Sequence, residues 1–108
     1  MVVFRRDYEE VAPDGRRLKA YYATESVGIA VGFLISALHR AGLATLTHTP
    51  APMTFLRELC GRRASERPYL LLPVGYPSET CVVPDLSRKP FAEIAELRVA
   101  DGGERSGD

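Results

Sequence analysis

A single small domain that mixes one long helix with short strands is what this sequence predicts, and three observations predict it. A helix-length apolar run ends at a glycine, short β-prone segments flank it, and turn residues punctuate the rest. At 108 residues the chain holds one domain. Lysine plus arginine and aspartate plus glutamate both number 14, so the formal net charge is zero and nothing points to nucleic acid. The 45% apolar content is that of an ordinary globular protein.

The chain opens with Val2-Val3-Phe4, a short strand, and Pro13-Asp14-Gly15 supplies a turn from which it returns through Arg16 to Lys19. A helix is expected from about Tyr22 to Ala41. Glu25 suits its positive amino end, His39 and Arg40 suit its negative carboxyl end, and Gly42 stops it. From Val27 to Leu38 no face of this helix carries charge, which predicts burial all round. The run is shorter than the roughly 20 apolar residues that span a bilayer. Gly28, Gly32 and Ser36 recur every fourth residue and leave a strip of small side chains on which a second helix can lie close. A chain this small has too little surface to cover such a helix, so a partner chain is its simplest cover.

Beyond Gly42, Leu43 to Thr47 reads as a strand or strand-loop, and Pro50 with Pro52 keeps the connection extended. Thr54 to Cys60 reads as a short helix closed by Gly61. Tyr69 to Pro77 begins as a buried strand that Pro73 and Gly75 interrupt. A loop from Pro84 to Pro90 leads into a helical turn at Phe91 to Ile94. Residues 1–99 form the expected domain, and residues 100–108, without a large apolar side chain, are the expected disordered tail.

The amino end shows no export leader. Cys60 and Cys81 are too few for a disulfide framework or a metal knuckle, so free thiols in a cytoplasmic setting, and no metal site, are expected. Both cysteines read as packing residues. The paired arginines at 5–6, 16–17 and 62–63 read as solvated surface.

Three segments together resemble a known family: Glu25 to Ala30 leading to Ala41-Gly42-Leu43; Thr47-His48-Thr49-Pro50; and Leu72 to Pro77 followed by Val83-Pro84-Asp85-Leu86-Ser87-Arg88-Lys89-Pro90. In that order and spacing they resemble the carboxyl-terminal half of the FMN-dependent nitroreductases, closest to the iodotyrosine-deiodinase-like branch. The resemblance runs from Val2 to about Ile94. It implies an α+β, nitroreductase-like FMN-binding fold, here a partial domain with a central buried helix and a small mixed sheet. It also implies an intertwined homodimer, with the Gly28/Gly32/Ser36 helix at the contact and flavin at the subunit interface. Electrons from reduced nicotinamide, NADH or NADPH, would pass through FMN to a small electron-poor or halogenated aromatic acceptor.

By this resemblance Arg88 binds the FMN phosphate, a task suited to the guanidinium fork. Thr47, His48 and Thr49 meet the flavin ring. Thr47 takes the catalytic role as hydrogen-bond partner of flavin N5, where a donor tunes the redox chemistry. Read from the residues alone, Arg88 is a surface charge, the threonines end a strand, and His48 is a loop histidine. His48 also departs from the branch's all-threonine segment. Gly75 and its neighbouring prolines either shape the pocket or end a strand. The family's Arg-Arg-Ser phosphate segment and its substrate lid are absent from these residues. The alternative expectation is therefore a shortened, non-catalytic remnant or dimerising module that no longer binds flavin.

Overall fold

The computed structural model describes residues 1–100, and the tail expected at 100–108 lies outside them from Asp101 onward. Strand β1 (Val2–Arg6) pairs antiparallel with β5 (Glu66–Leu71), with a register shift between Val3 and Phe4. Between them, β2 (Glu9–Val11) and β3 (Arg17–Lys19) form a hairpin. Its turn closes where the Gly15 N–H donates to Ala12 O at 2.8 Å. Gly15 has a φ of +84°, which only glycine adopts without steric cost. Strand β4 (Ala44–Thr45) pairs antiparallel with β6 (Val74–Gly75). The small mixed sheet of the sequence reading is thus, among the described residues, three short antiparallel pairs.

Helix α1 (Ala23–Arg40) is within a residue of its expected limits. Leu43 N–H donates to Leu38 O and Gly42 N–H to His39 O, the paired reverse bonds of a Schellman ending, with Gly42 at φ +83°. Helix α2 (Phe55–Leu59) ends the same way, with Arg62 N–H on Arg57 O and Gly61 N–H on Glu58 O. A last turn, α3 (Phe91–Ile94), lies where it was expected.

One face of α1 packs on β5. Val31, Leu70 and Leu72 are buried, and Val3, Val27, Leu34, Ile35, Leu38 and Tyr69 pack around them. The burial all round predicted for α1 is not met within one chain: Ile29 is 64% and Phe33 74% exposed. Gly28 faces inward, its missing Cβ site 3.1 Å from the Tyr69 hydroxyl, whereas Gly32 faces open space. Every residue from Pro73 to Ala100 is exposed, including Val82, Val83, Leu86, Phe91, Leu97 and Val99. The radius of gyration, 21.2 Å, exceeds the roughly 13 Å of a compact chain of this length. So much uncovered apolar surface is more than the scattered exposed apolar side chains of an ordinary monomer.

Arg62, in the connection after α2, is bonded to Glu66 at the start of β5 at 2.8 and 2.7 Å, and the Arg63 N–H donates to the same carboxylate at 3.1 Å. The Arg62 guanidinium also lies over the Phe4 ring, 5.8 Å from its centroid. These bonds hold the Glu66 carboxyl below the usual carboxylate range, the Arg62 hydrogen bond first and the Arg63 N–H second. A lowered folded-state pKa stabilises the fold above the unfolded glutamate value, about 4.3, and that stabilisation fades as pH falls through the folded value. Denaturant melts at stepped pH should therefore show wild type more stable than Glu66→Gln at neutrality, with the gap closing below about pH 4.3. A gap independent of pH would contradict the assignment.

Candidate functional site

The segment Thr47-His48-Thr49 owes its position to backbone bonding. His48 N–H donates to Leu71 O and Leu71 N–H to His48 O, both at 2.9 Å, and Leu46 N–H donates to Pro73 O at 3.2 Å. The neighbouring Leu72 is wholly buried, so the strand to which the segment is bonded is anchored in the core. All three side chains remain exposed. The two threonine hydroxyls are thus presented from a fixed backbone, an arrangement that can hydrogen-bond a planar ligand.

Arg88 lies on the exposed stretch between β6 and α3 and forms no ion pair or hydrogen bond among the described residues. Its guanidinium is free to take a phosphate, and the threonine hydroxyls are free to meet a flavin ring, so these groups suit FMN chemically. Arg88 and residues 47–49 are absent from the walls of five clefts found among the described residues. The nearest in sequence is a cleft of about 540 Å³ bounded by Ile35, His39, Gly42, Thr45, Pro77 and Cys81.

Two expectations are corrected. Cys60 and Cys81 are both exposed rather than packed. The arginine pairs are not uniformly solvated: Arg16 and Arg17 are surface partners of Asp14 and Glu9, but Arg62 is clasped by Glu66. Arg5 is half-buried, donating to Thr24 Oγ1 at 2.9 Å and to Asp7 at 3.3 Å. Its Nε lies 3.1 Å from Asp7 Oδ1 but is badly angled for a hydrogen bond, so the contact there is an ion pair alone. None of these contacts had a sequence signal: Arg62 and Glu66 are four residues apart but lie outside any helix, where that spacing carries no pairing rule. No group of histidine, cysteine and acidic residues able to hold a metal occurs among the described residues, and no helix there is long and apolar enough to cross a membrane.

No family model matches the chain. The chain is 57% identical over 94 residues to an iodotyrosine deiodinase of Haliscomenobacter hydrossis, which covers 87% of this chain and 42% of that protein. It is 45% identical to the Hydra vulgaris iodotyrosine deiodinase and 44% identical to human iodotyrosine deiodinase 1, again over 87% of this chain but 35% and 33% of theirs. In three dimensions it resembles a crystal structure of oxidised iodotyrosine deiodinase bound to FMN and 3-iodo-L-tyrosine. The TM-score is 0.63 at 31% identity, over 90% of this chain and 44% of the other. This chain is homologous to part of the iodotyrosine deiodinases, a nitroreductase-fold family. The deiodinase likeness carries the fold class too: α+β, as a partial nitroreductase-like domain. The chain spans less than half the length of each of these relatives.

Proposed function

We propose that this chain forms the flavin-ring and phosphate contacts of an FMN-dependent oxidoreductase that acts as a homodimer in the cytoplasm. Its acceptor is an electron-poor or halogenated aromatic, and its electron donor is NADH or NADPH. The observation that carries this reading is the Thr47–Thr49 segment, exposed in its side chains yet locked to Leu71 through its backbone. Homology to deiodinases, one of them crystallised with FMN, supplies the cofactor. Bound FMN supplies a two-electron relay between nicotinamide and acceptor. Thr47 would hold a hydrogen bond to the bound flavin at N5, His48 and Thr49 would border its ring, and Arg88 would neutralise its phosphate. The exposed face of α1 and the apolar stretch after β6 support a second copy as the missing cover.

Titration of the purified chain with FMN tests this reading, with saturable binding at one flavin per chain expected. A colourless protein that dimerises without flavin would favour the second reading, a non-catalytic dimerising module. That reading draws support from the absence of Arg88 and of residues 47–49 from the walls of the five clefts described above.

The dimer has its own test. An alanine Cβ at position 32 meets nothing within 4 Å inside the chain, so Gly32→Ala should stabilise the isolated chain by up to about 1 kcal/mol through helix propensity. The same methyl should weaken self-association in sedimentation velocity. Gly28→Ala instead presses on the Tyr69 hydroxyl, the end of a side chain that can yield a few tenths of an ångström. Its association should be changed less than that of Gly32→Ala. Unaltered association in Gly32→Ala would remove this helix face from the interface.

A further inference from the structure

We draw no further inference here: the strongest candidate, the cleft between α2 and β5 lined by Thr54, Arg57 and Arg67, carries nothing of its own because nothing in the structure separates an anion bound there from the FMN phosphate already proposed.

Discussion

Leu72→Ala is expected to abolish cooperative folding of the isolated chain. Leu72 is the one large side chain among the described residues with no exposure, and just past the end of β5 it joins Val31 and Leu70 in the core. Its backbone is equally committed, since its N–H donates to Met1 O at 2.8 Å and its carbonyl accepts from the Met1 amino group at 3.1 Å. Truncating a buried leucine costs about 2–5 kcal/mol, the upper values where the cavity cannot collapse. Whole domains are stable by only about 5–15 kcal/mol. With just Val31, Leu56, Leu70 and Leu72 buried among the apolar side chains of the described residues, this chain belongs at the low end. A urea melt followed by circular dichroism should show a broad, early or missing transition. Leu97→Ala, at an exposed position, should melt like wild type. Equal midpoints for Leu72→Ala and wild type would mean that the core lies elsewhere.

Arg88→Ala is expected to weaken FMN binding by roughly 10- to 150-fold, the equivalent of the 1.5–3 kcal/mol that a hydrogen bond to a charged group contributes. Two controls make the result specific to the phosphate. Riboflavin, which lacks that group, should bind wild type and variant alike. Arg88→Lys should fall between them, because an ammonium keeps the charge but loses the planar fork. The variant should melt like wild type, since Arg88 is exposed and bonds to nothing among the described residues. If riboflavin lost affinity as much as FMN did, Arg88 would be acting on the shape of the pocket instead.

What could be read from sequence was whatever local chemistry decides. Helices α1 and α2 were legible because Gly42 and Gly61 are the residues a Schellman ending requires, and the interruption after β5 was legible because Pro73 breaks a ladder. The pairing of β1 with β5 was not, since 59 residues, 7 to 65, separate the strands and a register shift falls between Val3 and Phe4. The Arg5, Asp7, Thr24 and Arg67 network was hidden for the same reason: its members come from three separate parts of the chain. The apolar composition of α1 read as demanding cover on every face, and one chain leaves Ile29 and Phe33 exposed; composition does not say what else would cover them. For the candidate site, the identities of Thr47, His48, Thr49 and Arg88 came from motif resemblance alone. The bond from His48 to Leu71, which fixes the segment, is a tertiary fact.

The uncovered stretch from Pro73 to Ala100 bears on how the amount of protein in the tube should be treated. If another copy supplies the cover, assembly and folding are one equilibrium, and every tenfold dilution takes about 1.4 kcal/mol from the driving force for pairing. A melting temperature for such a molecule has meaning only beside the concentration at which it was taken.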